Sequence, residues 1–175
     1  MRHVISVLMA NEAGALVRVA GMFSQRGFNI ETLNVGPTED ATVSRLTLVT
    51  HGTEDVVEQI NRQLLKLVDV IDVLDMTGDA HLERELALIK VRPREDDAAI
   101  DALAEPYDVV ELVGDAGQRT LQFVGSGESL NTFVAALEDA GALVELARSG
   151  AVTMTPGDAG LHYEHGASGS DDATF

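Results

Sequence analysis

Residues 3–27, HVISVLMANEAGALVRVAGMFSQRG, contain the pattern that decides the fold of this chain. The stretch opens with a run of β-branched and apolar residues at 3–9, which predicts a strand buried on both faces. Residues 14–26 then place apolar side chains at helical spacing, at Leu16, Val19, Ala20 and Phe23. Gly27 ends this helix. The stretch therefore predicts a buried strand followed closely by an amphipathic helix.

The pattern continues through the rest of an N-terminal unit, which we assign to residues 1–77. The further elements that it predicts are strands at 28–35, 42–50 and 68–76 and a helix at 54–67. The resulting order, βαββαβ, is the ferredoxin-like α+β arrangement, with two helices on one face of an antiparallel sheet. The other sheet face stays bare and apolar, which indicates another domain, another chain or a ligand.

A second unit of similar outline is predicted at residues 83–156. Its elements are strands at 84–92, 107–113, 119–125 and 142–148 and helices at 95–104 and 128–140. The Gly-rich stretch GSGES, residues 125–129, is typical of a turn that begins a helix. The chain is thus predicted to hold two ferredoxin-like units. We expect disorder in the acidic, Gly-rich tail at 157–175.

Charge restricts the classes of partner. The formal net charge is -17, which argues against nucleic acid and against anionic membranes. No segment approaches the roughly 20 apolar residues of a membrane span, and we expect a cytoplasmic protein. Only two lysines, Lys66 and Lys90, accompany the many acidic residues, so we hypothesise adaptation to high salt. Cysteine is absent, which excludes disulfides and thiolate chemistry.

Residues suited to catalysis are few. His162 and His165 form a lone H-x-x-H pair in the tail, without a helix or a third ligand, so a metal site there is disfavoured. No Gly-rich stretch continues into the Gly-Lys-Ser/Thr of a Walker loop. Asp69, Asp72 and Asp75 recur at a spacing that alternates strand faces, so we expect solvated side chains.

The first strand-to-helix junction is a better candidate for binding. Helix N-terminal amides lack partners and attract anions, and Gly14 would let a ligand approach the backbone closely. Asn11 offers a donor and an acceptor side by side. Such a junction suits the carboxylate and ammonium of a free amino acid. The residues alone slightly favour the alternative, a tight turn that binds nothing.

Long stretches of the chain resemble one family, the regulatory (small) subunits of acetolactate synthase. The resemblance lies in NEAGALVRVAGMFSQRGFNIETLNVGPTEDATVSRLTLVT, in QLLKLVDVIDV and in LVELARSGAVTMTPG, and it covers residues 2–157. It departs at residues 93–106, which are shorter than the family's third helix and turn and carry Glu105-Pro106-Tyr107 where the family has Phe-Arg.

The resemblance implies an ACT domain at residues 1–77, with sheets paired side by side across a homodimer and an effector at the joint. The effector is valine or another branched-chain amino acid. The contacts that carry over are Asn11, Gly14, Ala15 and Leu16 from one chain and Asn29 and Ile30 from the second strand of the partner chain. The resemblance also implies a catalytic large subunit as partner, with thiamine diphosphate, flavin and magnesium bound there and no cofactor on this chain.

Two other functions remain as alternatives. A free-standing ACT-type amino-acid sensor would need only the effector site, although sensors that act on DNA carry a DNA-binding unit that this sequence does not suggest. Acylphosphatases share the βαββαβ order, but they need a phosphate loop after the first strand. The stretch ANEAGAL, residues 10–16, is no such loop, and its Glu12 would repel phosphate.

Overall fold

The computed structural model describes residues 1–78, 80–92, 97–112, 119–157 and 160–161. Its strands are β1 (Arg2–Ala10), β2 (Thr32–Pro37), β3 (Val43–His51), β4 (Val70–Asp75), β5 (Leu82–Val91), β6 (Asp108–Leu112), β7 (Arg119–Gly125) and β8 (Leu143–Met154). Its helices are α1 (Ala15–Gln25), α2 (Glu54–Leu64), α3 (Asp97–Ala104) and α4 (Gly127–Asp139). The predicted tail falls almost wholly outside the described residues, and so do its two histidines and the link at 113–118 between two of the predicted strands.

The N-terminal unit has the predicted ferredoxin-like topology. Its antiparallel sheet has the order β2-β3-β1-β4. Alternate residues of β1, such as Ile5 and Val7, pack into one apolar cluster with Phe23 of α1 and Ile60 of α2. Both helices therefore cover the same face of the sheet. As predicted, β1 is buried on both faces, from His3 to Met9.

The second strand begins later than predicted, at Thr32. Gly27 has a positive φ of 70°, and the amide of Phe28 donates to the Phe23 carbonyl, so the chain first closes the end of α1. The Phe28 ring then packs edge-on against Phe23 at 6.2 Å. The pattern of apolar residues at 28–30 reflects this packing, so Asn29 and Ile30 precede β2 and do not lie in it.

The C-terminal unit repeats the topology, with strand order β6-β7-β5-β8. Its core is built around Phe123 and Phe133, whose rings stack at 5.9 Å. Ser126 caps α4 by accepting from the Ser129 amide, which confirms the helix start predicted from GSGES. Two ferredoxin-like units in one chain are thus confirmed.

The last strand is longer than predicted, and its final residues pack on the sheet face that was expected to be bare in one unit alone. β8 continues to Met154 because Gly150, with a φ of 76°, carries the chain through an irregularity in its pairing with β5. Beyond that point Ala151 joins Val4, Val49 and Met76 in a small buried cluster. Of the three expected kinds of cover for this face, the structure shows another domain of the same chain.

Polar contacts complete this junction between the two units. The hydroxyls of Ser6 and Thr153 lie 2.9 Å apart, and Arg45 Nη2 donates to the Thr153 carbonyl at 2.7 Å. Asn34 Nδ2 donates to the Ser149 carbonyl at 3.2 Å. A mixed apolar and hydrogen-bonded junction of this kind fixes the position of β8 on the first sheet.

Excess acidic charge leads to a prediction about stability. The chain has 29 acidic and 12 basic residues, so self-repulsion should destabilise it wherever salt does not screen the charges. We expect a larger free energy of unfolding in molar KCl than in dilute KCl, measured by urea titration monitored by circular dichroism. Equal free energies in both buffers would refute adaptation to high salt.

Candidate functional site

Asn11 ends β1 and holds the neighbouring loop. Its backbone amide donates to the Thr42 carbonyl at 2.7 Å, and its side-chain Nδ2 donates to the Ala41 carbonyl at 2.9 Å. No hydrogen bond within the described part of the chain uses its Oδ1. Asn11 is therefore fixed by the turn and still presents an acceptor at the exposed junction.

Gly14 occupies the cap position of α1 in a left-handed conformation, with a φ of 93°. Within the described residues, no side chain caps the helix, and the first turn of the helix contains no acidic residue. Among the described residues, no acceptor is found for the amides of Leu16 and Val17. These donors and the helix dipole favour a carboxylate at the junction, while the exposed Glu12, two residues before Gly14, opposes it.

The side chains of the next two residues differ in exposure. Ala15 is buried against the core, whereas Leu16 is partly exposed, with an exposed fraction of 38%. Leu16 is thus placed at the surface beside the free amides. Its side chain can contact a small branched side chain whose carboxylate lies at the helix start.

A basic residue beside Gly14 was missed by the sequence analysis. Arg18 forms an ion pair with the buried Asp69, with Nη2 donating to Oδ1 at 2.8 Å. A Cβ built on Gly14 would lie 3.0 Å from Arg18 Nη1, so the guanidinium borders the junction. The expectation that Asp69 is solvated is wrong, because its carboxylate anchors Arg18.

The ion pair also defines the charge of these two groups. The hydrogen bond from Arg18 lowers the pKa of Asp69, although burial opposes this change. The carboxylate of Asp69 therefore stays ionised, and it holds Arg18 next to Gly14. Arg18 lies four residues beyond Gly14, on the same side of α1, and that helical spacing is the signal that could have identified it.

Asn29 and Ile30 lie at the opposite end of the same sheet. Ala10 pairs with Val43, while Thr32 pairs with Val49, six residues further along β3. At about 3.3 Å per residue this is roughly 20 Å. One chain therefore does not bring the Asn11 group of residues together with Asn29 and Ile30.

The local environments of Asn29 and Ile30 differ. The carbonyl of Asn29 accepts from Thr50 Oγ1 at 2.6 Å, whereas its side chain is exposed. Ile30 is partly buried against the main core cluster of the unit. The fold thus holds the backbone of this segment and leaves the Asn29 amide group at the surface.

A cavity of about 440 Å³ lies between the two units and is lined by charged residues. Arg2 of β1 pairs with Glu83 at 2.7 Å, and Arg148 of β8 pairs with Glu85. Burial alone would raise the pKa of Glu83, but hydrogen bonds from Arg2 and from the Gly127 amide outweigh it, so this pKa lies below its ordinary value. The Arg2–Glu83 pair joins the two units, whereas the Arg148–Glu85 pair lies within the C-terminal unit.

Within the described residues, no group of three or more His, Asp and Glu side chains is arranged to hold a metal ion. None of the helices in that part of the chain is both long and apolar enough to cross a bilayer. His162 and His165 lie outside the described residues.

Comparisons with known proteins assign both units. Residues 5–72 match the family model described as the AHAS small subunit-like ACT domain, so the N-terminal unit is an ACT domain. Residues 84–157 match the family model described as the small subunit of acetolactate synthase.

Individual relatives agree over nearly their whole length. The acetolactate synthase isozyme 3 small subunit of Salmonella typhimurium is 44% identical over 90% of this chain and 98% of its own length. A probable acetolactate synthase small subunit of Archaeoglobus fulgidus is 40% identical over 90% of this chain and 99% of its own. A crystal structure of the acetolactate synthase small subunit from Thermotoga maritima superposes with a TM-score of 0.81, at 32% identity, over 91% and 99% of the two chains. The chain belongs to the family of acetolactate synthase small subunits.

Proposed function

We propose that this chain is the non-catalytic regulatory subunit that activates the acetolactate synthase catalytic subunit and makes it sensitive to feedback inhibition by valine. Membership of the small-subunit family carries this proposal. The active site, with its thiamine diphosphate, flavin and magnesium, belongs to the catalytic subunit, which joins two pyruvates or pyruvate and 2-oxobutyrate. The complex works in the cytoplasm, in branched-chain amino acid biosynthesis.

The effector site is formed by two copies of this chain. One copy supplies Asn11, Gly14, Ala15 and Leu16, and the other supplies Asn29 and Ile30. The separation of roughly 20 Å between the two groups within one chain supports a homodimer, because a two-fold axis beside the sheets can join opposite ends of two copies. β2 is an edge strand of its sheet, as side-by-side pairing requires.

Each group has a chemical role in this site. The free amides of Leu16 and Val17 bind the effector carboxylate, and Arg18 adds positive charge beside them. Asn11 Oδ1 and the amide group of Asn29 bind the ammonium and orient the ligand. Leu16 and Ile30 contact its branched side chain.

The test is acetolactate formation by the catalytic subunit of the same organism, measured alone, with this chain, and with this chain plus valine. We expect this chain to raise the rate and valine to lower it again. Activation that leucine or isoleucine reverses would identify a different branched-chain effector. No activation at any salt concentration would contradict the proposal and favour a free-standing amino-acid sensor.

Asn29→Ala should weaken valine binding through the partner chain. Loss of the amide leaves a polar group of the ligand unpaired, which costs about 1–3 kcal/mol, or roughly 5- to 150-fold in Kd. The fold should be unaffected because the Asn29 side chain is exposed and its carbonyl still accepts from Thr50. Calorimetric titration of valine, with thermal unfolding as the control, measures both; an unchanged Kd would exclude Asn29 from the site.

A further inference from the structure

A groove of about 490 Å³ runs between α1 and α2, on the side of the helices away from the ACT sheet. Its apolar lining comes from Val17, Gly21, Met22 and Leu67. A Cβ built on Gly21 would meet no atom within 4 Å, so the space above this glycine is open. The groove can therefore accept side chains from another molecule.

The charge of this groove is opposite to that of the whole chain. Arg18, Arg26 and Lys66 line it, and no acidic residue does. These are three of the 12 basic residues in a chain with 29 acidic ones. By contrast, the cavity between the two units has four glutamates beside two arginines. A basic groove on so acidic a molecule is a local exception that suits an acidic partner.

The three basic side chains differ in the ion-pair or hydrogen-bond partners that this chain provides for them. Arg18 pairs with Asp69, and Arg26 donates to the neutral Gln63 Oε1 at 2.9 Å. Lys66 is exposed, and the described part of the chain provides no partner for it. Lys66 therefore carries a charge that can be neutralised by another molecule at little cost in existing contacts.

Exposed apolar side chains accompany these charges. Val17, inside the groove, has an exposed fraction of 73%, and Val68, two residues beyond Lys66, has one of 90%. Leu65 is exposed as well. Leu65 and Val68 flank Lys66 in sequence and lie outside the groove lining, whereas Val17 lines the groove beside basic side chains, as is typical of a surface that another protein covers.

We propose that the groove between α1 and α2 docks an acidic segment of the catalytic subunit, whose carboxylates meet Lys66 and Arg26 and whose apolar side chains cover Val17. This inference rests on the proposed function, since it assumes that the chain activates that subunit. Charge complementarity selects an acidic occupant. In the proposed homodimer the second copy of this chain pairs at the edge of the sheet, which leaves the groove between the helices to the catalytic subunit.

The position of the groove gives it a regulatory consequence. α1 begins at the effector junction, and Arg18 borders Gly14 on one side and the groove on the other. One rigid helix therefore contacts the effector at its start and the catalytic subunit along its side. An effector that changes the position of α1 changes the docking surface as well.

The test is Lys66→Glu, with Arg62→Glu as a matched control. Both substitutions change the charge by the same amount on exposed residues at the end of α2 or just beyond it, and Arg62 does not line the groove. Arg62 pairs with Glu58 one turn earlier, an exposed pair of the kind that contributes little to stability, so thermal unfolding of both variants is measured as well. The full chain is titrated into the catalytic subunit and the concentration for half-maximal activation is measured. Valine binding to the isolated chain is measured by calorimetry.

We expect Lys66→Glu to raise the half-activating concentration about tenfold, because a carboxylate now faces carboxylates, and Arg62→Glu to change it less than about twofold. Valine binding should be unchanged in both variants. If the Lys66→Glu variant activates the catalytic subunit at wild-type concentrations, the docking site is overturned. It is overturned as well if sedimentation shows that the only defect of the variant is a loss of self-association. If the wild-type chain fails to activate, the proposed function fails too, an outcome distinct from a failure of Lys66→Glu alone.

Discussion

Gly14→Asp is expected to abolish the response to valine and to leave activation of the catalytic subunit intact. The new carboxylate would project beside the free amides of Leu16 and Val17 and next to Arg18 Nη1. It would occupy the position of the ligand carboxylate and repel it as well. Activity of the complex, measured against valine concentration, should no longer fall in the variant.

Gly14→Asn is the matched control for this substitution. Asparagine has the shape of aspartate without its charge, and both tolerate the left-handed backbone at Gly14 better than other side chains do. The loss of valine response should therefore be larger for Asp than for Asn. A valine titration of Gly14→Asp that overlays the wild type would exclude the junction as the effector site.

Arg148→Ala is expected to destabilise the protein by about 3 kcal/mol, because it leaves a buried carboxylate without its partner. Glu85 has an exposed fraction of only 2%, and it accepts from Arg148 Nε at 2.9 Å and from Nη2 at 2.7 Å. Arg148 also donates to Asn131 Oδ1 at 2.8 Å, which ties β8 to α4. Urea unfolding measures the change.

Lys90→Ala provides the comparison for a surface pair. Lys90 pairs with the exposed Glu145 in the same sheet, and such pairs contribute at most about 1 kcal/mol to stability.

The double variant Glu85→Leu with Arg148→Met should recover most of the stability lost in Arg148→Ala, since it removes both charges. A change below about 1 kcal/mol in Arg148→Ala, within the range of surface pairs, would show that Glu85 is solvated in solution.

The helices and strands of this fold were predictable where the spacing of apolar side chains agrees with the positions of glycine and turn residues. Residues 3–9 gave β1 because a strand buried on both faces is apolar almost throughout, and residues 14–26 gave α1 because burial of one helix face imposes a period of 3.6. The start of β2 was misplaced because Phe28 and Ile30 are apolar for packing against the core and not for pairing in the sheet. Apolar character alone does not separate those two causes.

The end of β8 was missed for a different reason. The predicted strand stops at residue 148, whereas Gly150, with its positive φ and its close approach to the Leu33 backbone, carries the strand past an irregularity. That contact joins residues more than a hundred positions apart, so nothing local in the sequence signals it.

Some residues of the candidate site could likewise be identified from the local sequence, whereas others depend on contacts that are distant in the chain. Asn11 and Gly14 could be identified because a strand that hands over to a helix leaves amides free, which is a local property. The pairing of Arg18 with Asp69 spans 51 residues and depends on the position of α1 over the sheet. The separation of Asn29 from Gly14 likewise follows from strand register, which only the folded chain provides.

In the proposed homodimer two chains share each effector site, and a mixed dimer separates this arrangement from a site within one chain. Chains carrying Gly14→Asp and Asn29→Ala are given different tags and co-expressed, and the mixed dimer is purified. One of its two sites then holds both substitutions, while the other combines an intact Gly14 with an intact Asn29. The account predicts that calorimetry finds one valine per mixed dimer, bound with wild-type affinity, although each parent dimer binds valine weakly or not at all. A mixed dimer that shows only the defects of its parents would place the site within a single chain and contradict the account.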